Sequence, residues 1–94
     1  MTHFNIDNEN IIEDSEIGRL YAIYGYDYES RPHFLIIGQA TEGEVPVIDI
    51  SDDHYTTCIR DEGDSALEVA EHFGLTSNLK FFEDEANFSL TIEF

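Results

Sequence analysis

Ser65-Ala66-Leu67-Glu68-Val69-Ala70-Glu71-His72-Phe73-Gly74 is the stretch of this 94-residue chain that reads in the period of a helix, and it stands among segments that read as strands. Ser65 followed by Glu68 matches the Ser-x-x-Glu capping box, in which hydroxyl and carboxylate satisfy each other's exposed backbone amides. Gly74 stands where helices commonly stop. At roughly 100° per residue, Ala66, Val69, Ala70 and Phe73 fall on one side, while Asp64, Glu68 and Glu71 share an arc on the other. The prediction is a helix over 65–74 with its apolar side on a sheet and its acids in water.

Working outward, residues 19–28 are rich in strand-favouring aromatics and end at Arg31-Pro32. Residues 33–40 form a short apolar run between Pro32 and Thr41-Glu42-Gly43, which suits a central strand buried on both faces. A third strand is expected at 45–50, followed by the turn Ser51-Asp52-Asp53, and a fourth at 55–60. Two more follow the helix, at 79–84 and 87–94. In the last, Phe88, Leu90, Ile92 and Phe94 alternate with Asn87, Ser89, Thr91 and Glu93, so one face is apolar. Residues 1–18 show no clean period and read as an irregular, partly docked lead-in. The whole is an α+β fold, a mostly antiparallel sheet of five or six strands with one packed helix, in a single acidic domain over 1–94.

The charge is the chain's strongest compositional feature: 21 Asp and Glu against 4 Lys and Arg give −17. Enough large apolar and aromatic residues remain, among them 7 Phe and 5 Tyr, for a folded body under an acidic coat. The longest run of large apolar residues, Phe34-Leu35-Ile36-Ile37, is far short of a membrane span. The first ten residues lack the cationic and apolar stretches of a secretory signal, and the single cysteine, Cys58, excludes a disulfide-stapled scaffold. A reducing, cytoplasmic setting is expected. Nucleic-acid backbones and anionic lipids would meet like charge, so the expected partner is basic.

The search for catalytic chemistry yields little. His3, His33, His54 and His72 lack the spacing of a zinc helix. Asp61-Glu62-Gly63-Asp64 with Glu68 departs from a calcium loop, and the glycines form no phosphate-cradling loop. A Cys-His pair from Cys58 with His54 or His72 stays open, but the anionic setting disfavours a thiolate, and a partly buried structural cysteine is the simpler reading. Abundant carboxylates discriminate nothing, and so short a chain leaves little room for a substrate pocket. No enzyme, metal or cofactor is expected.

A size comparison gives the charge a meaning. A chain this long folds to a radius of gyration near 12 Å, hence a body roughly 30 Å across. Duplex DNA places seventeen charges along about 29 Å of axis. The expectation is therefore a DNA mimic that fills the basic DNA-binding cleft of a nuclease or other DNA-processing enzyme. Asp52, Asp53, Asp61, Glu62, Asp64, Glu68 and Glu71 are the expected phosphate surrogates, and Glu42, Glu44, Glu83, Asp84 and Glu85 form a second set at the same or the opposite edge. Tyr21, Tyr24, Tyr26 and Tyr28 either pack on the sheet or supply flat contacts near the acids.

In size, charge and want of a catalytic motif the chain resembles the small acidic inhibitors of phages and mobile elements: anti-restriction proteins, anti-CRISPR proteins and uracil-DNA glycosylase inhibitors. The resemblance implies a host-cell cytoplasmic protein, often dimeric, with a nuclease or restriction-type target. An immunity protein or antitoxin neutralising a basic nuclease toxin is the alternative, and adaptation to high salt the plain one. The neutral side of the last strand, Asn87, Ser89 and Thr91, is a candidate homodimer contact or an ordinary wet face. Crowded acids should also raise carboxylate pKa values and make the fold more stable as salt rises.

Overall fold

Eight strands and one helix run in the order β1 (Thr2–Ile6), β2 (Ile11–Ile12), β3 (Ala22–Asp27), β4 (Pro32–Ile37), β5 (Glu44–Ser51), β6 (His54–Asp61), α1 (Ala66–His72), β7 (Leu75–Phe82) and β8 (Phe88–Ile92). This is a computed structural model describing the backbone of residues 2–6, 11–12, 15–51, 54–83 and 88–92, and the side chains of 15–51 and 54–83. Six strands form one antiparallel sheet in the order β2-β7-β3-β4-β5-β6, and β1 and β8 pair in a second, two-stranded sheet. The α+β class is as expected.

Burial on both faces of the centre is legible in two neighbouring residues. Phe34 and Leu35 point to opposite sides of β4, and each is fully buried. On one side Ile23, Leu35, Ile37, Val45 and Val47 pack with Ala66, Val69 and Ala70 of α1. On the other, Ala22, Phe34, Ile50 and Phe82 cluster with Tyr21, Tyr24 and Ile36 along them. Each large side chain so buried contributes on the order of 1.5–3 kcal/mol, which is how one short helix suffices.

The Ser65 hydroxyl accepts from Glu68 N–H at 3.1 Å, and Ser15 C=O accepts from Ala66 N–H at 2.7 Å, so the helix start is capped partly by the lead-in. Gly74, with φ of 80°, ends it. The body measures 35 × 27 × 24 Å, with a radius of gyration of 12.2 Å. No helix among the described residues is long and apolar enough to cross a membrane.

Three expectations are corrected. The lead-in is not irregular: Thr2–Ile6 pairs with β8, Ile11–Ile12 with β7, and Ile17–Arg19 makes a 3-10 turn. These pairings join residues far apart in sequence, which local periodicity does not report. The strand after the helix starts at Leu75, not 79, because the turn closes at once on Gly74. Asp64 lies before the cap and outside the helix, so it does not share the helical arc of Glu68 and Glu71.

Candidate anionic site

Antiparallel pairing sends the start of β5, the ends of β4, β6 and β7 and the beginning of α1 to one end of the main sheet. The turn Thr41-Glu42-Gly43-Glu44 closes there with reciprocal bonds, Thr41 N–H to Glu44 C=O at 2.8 Å and Glu44 N–H to Thr41 C=O at 3.0 Å. Glu42 and Gly43 both hold positive φ, 53° and 81°, as a tight two-residue hairpin turn demands. Glu42 is thereby held at the tip.

Glu44 then stands directly opposite Asp61 in the β5·β6 ladder, and Glu62 N–H donates to Gly43 C=O at 2.8 Å. A Cβ added at Gly18 would come within 2.7 Å of Glu62 Cγ, so the Glu62 stem lies over the 3-10 turn. Glu16 bridges to Ser65 beside it, and Glu83 follows β7 at the same end. With strands about 4.8 Å apart, β7 to β6 spans roughly 19 Å. Glu16, Glu42, Glu44, Asp61, Glu62 and Glu83 are all exposed. The described ion pairs use Arg31, His33 and Arg60, and none reaches these six carboxylates. Two arginines lie at this end: Arg60 is taken by Asp64, and Arg19 forms no described pair with the six.

The two sets of acids expected from sequence thus partly merge, since Glu42, Glu44 and Glu83 join Asp61 and Glu62 at one end. Glu68 and Glu71 are exposed on α1, as predicted. Asp64 is withdrawn: Arg60 Nε and Nη2 donate to its Oδ2 at 3.0 and 2.9 Å, and it is mostly buried. A carboxylate already holding a guanidinium is a poor phosphate surrogate. Asp52, Asp53, Asp84 and Glu85 lie outside the described residues, as does the neutral side of the last strand. Tyr21, Tyr24 and Tyr26 follow the packing role, and Tyr28 does not. Tyr24 meets Tyr26 edge-on at 5.7 Å and tilts against Phe34, while the exposed Tyr28 sits at the opposite end of the sheet from the acids. Burial and the Tyr26 hydroxyl push the Tyr24 phenol up to about 12. Tyr24, Tyr26, Asn78, Leu79 and Lys80 line an open cleft of about 410 Å³.

Sequence reasoning missed a second polar cluster. His33 on β4 lies between Asp27 on β3 and Asp49 on β5, with Nε2 2.8 Å from Asp27 Oδ2 and Nδ1 3.0 Å from Asp49 Oδ1. A neutral imidazole has one N–H, so only the imidazolium donates to both carboxylates. Burial pulls the His33 pKa down, but the two carboxylates more than offset this, and the net shift is upward. Asp27 is lowered to about 2, first by His33 and then by the backbone N–H of Arg31, against the cost of burial, with further help from Glu29 N–H and the Arg31 charge. For Asp27 the sign is opposite to the rise expected from crowded acids. The available signal was Asp49 itself, an acid inside the apolar run Val45-Pro46-Val47-Ile48-Asp49-Ile50 and in phase with the buried Val45 and Val47.

The structure also brings Cys58 Sγ to 3.7 Å from His72 Nε2 at the end of α1. Cys58 is half-buried, and no group of three or more metal-binding side chains occurs among the described residues. No protein family, curated protein or solved structure matches the chain.

Proposed function

We propose that this chain is a DNA-mimic inhibitor, which occupies the basic cleft of a nuclease or other DNA-processing enzyme and excludes its substrate. The observation that supports this reading is the row of exposed, uncompensated carboxylates at one end of the sheet. Like charges directly opposite in a ladder oppose folding, as Glu44 and Asp61 do, and a cationic cleft would relieve that repulsion on binding. The charge density agrees: duplex DNA carries about 20 charges over a length of 35 Å, against −17 here. The mechanism needs no bond chemistry. Long-range attraction speeds encounter, and the acids occupy the sites where phosphates would sit.

Capture on the immobilised chain from a host lysate, with and without competing duplex DNA, tests the reading. A DNA-processing enzyme should be retained and then released by added duplex. Retention of a basic nuclease toxin that duplex fails to displace would favour the immunity-protein alternative, and retention of no DNA-handling enzyme would end the mimic proposal.

Asp61→Lys carries a second expectation with two opposite signs. Turning the Glu44·Asp61 repulsion into attraction should stabilise the fold by about 0.2–1 kcal/mol in thermal melts, yet weaken inhibition of the captured enzyme. A variant that inhibits as well as the wild type would remove this end of the sheet from the contact. Raising salt from low to moderate strength should likewise raise the melting temperature while weakening the complex. A flat melting temperature would mean the surface field is too weak to matter.

A further inference from the structure

We propose that the outer edge of β6 joins two copies of this chain, strand to antiparallel strand across a two-fold axis. Pro46 fixes which backbone groups face outward. It has no N–H, and its C=O accepts from Gly38 N–H at 2.8 Å on the β4 side. Backbone groups alternate sides along a strand, so Val45, Val47 and Asp49 bond toward β6, and their partners Arg60, Cys58 and Thr56 bond back toward β5. The N–H and C=O of Tyr55, Thr57, Ile59 and Asp61 therefore point away from the sheet, and no described strand pairs with them.

Natural edges are usually guarded by proline, lysine, a bulge or short length. β6 runs eight residues in unbroken register with β5, and none of them is Pro or Lys. Its outward-bonding residues also carry exposed apolar surface, with Tyr55 50% and Ile59 55% exposed, on the sheet face opposite α1 and beside Ile48. Electrostatics select the occupant. Acids crowd both flanks, at Asp52 and Asp53 before and at Asp61, Glu62 and Asp64 after, but residues 54–60 hold no carboxylate and include Arg60. A basic strand would find nothing to pair with over those seven residues. A second copy meets its least repulsive stretch there, and with Thr57 on the axis each Tyr55 faces the Ile59 of the other copy on one side of the joined sheet.

Sedimentation equilibrium of the full chain, up to concentrations on the order of 1 mM where weak interfaces associate, should show a dimer that tightens as salt screens the −17 of each copy. Thr57→Pro removes an outward N–H and no bond to β5, so it should weaken association at least about tenfold while the chain stays folded. Ile59→Lys gives the same loss through an exposed side chain, should the proline variant not fold. Thr56→Cys places a thiol opposite Cys58 of the second copy, about 4.5 Å between Cα atoms in a non-hydrogen-bonded pair, and mild oxidation should yield a covalent dimer. A link between two wild-type Cys58 residues would move the axis one residue along the same edge and support the same joining. A chain that stays monomeric throughout, or a dimer that survives both Thr57→Pro and Ile59→Lys, overturns it. The proposal does not depend on DNA mimicry.

Discussion

Phe34→Ala is expected to cost about 3–5 kcal/mol, the range for emptying a buried aromatic site. Phe34 is fully buried at the centre of β4, on the sheet face that α1 does not cover, against Phe82 at 6.5 Å and Tyr24 at 6.1 Å between ring centroids. The hole would be lined by Ala22, Ile50 and Phe82, side chains anchored on different strands, so the face has little freedom to collapse into it. Domains of this size hold roughly 5–15 kcal/mol in all, and each kcal/mol moves the midpoint by about 4–8 °C. Thermal melts of the variant should therefore show a midpoint lower by roughly 12 °C or more, if a transition survives at all. A loss under about 1 kcal/mol would mean that this face is packed too loosely to count as a core.

The Asp27–His33–Asp49 cluster gives the second large effect, and its sign follows from the two shifts. The folded pKa of His33 is raised, so its contribution is complete below about 6.5 and is lost as pH rises through the folded value. Asp27 is lowered from 3.8 to about 2, so its contribution is complete above 3.8 and is lost as pH falls through 2. Both are fully present between about pH 4 and 6.5. Stability should decline as pH rises above that window, and the imidazole proton resonances of His33 should titrate with a midpoint above 6.5. His33→Gln should cost about 1–3 kcal/mol near pH 6 and flatten this decline, since an uncharged amide leaves two partly buried carboxylates poorly matched. Asp49→Asn should lower the His33 midpoint while Asp27 still holds the ring. A variant lacking His33 that kept the wild-type decline would assign the pH dependence to other groups.

What the sequence disclosed and what it withheld divide along the range of the interactions. The Ser65 cap and the Gly74 stop depend on neighbours within a few residues, and local spacing carried them; the two-sided burial of Phe34 and Leu35 was legible as an unbroken apolar run, although the groups that bury them come from distant strands and from α1. The pairing of Thr2–Ile6 with Phe88–Ile92 depends on residues more than eighty positions apart, and no local period announces it. The candidate site shows the same split. Exposure of Glu68 and Glu71 followed from the helical period, whereas the meeting of Glu42 and Glu44 with Asp61 and Glu62 follows from strand register. Asp64 is the exception to that division: it stands before the Ser65 cap and so off the helical arc, and Arg60, only four residues earlier, holds its carboxylate. His33 found both its acids through register as well, six and sixteen residues away.

The clasp between the first and last strands sets a condition on how the molecule is made. Bringing Thr2 beside Ile92 in an otherwise open chain costs about 4 kcal/mol in loop closure beyond the constant term, so this ladder is expected to form after the central sheet has shortened the path between its ends. On the ribosome β1 must therefore wait, unpaired, until β8, more than eighty residues later, has been made and has left the exit tunnel.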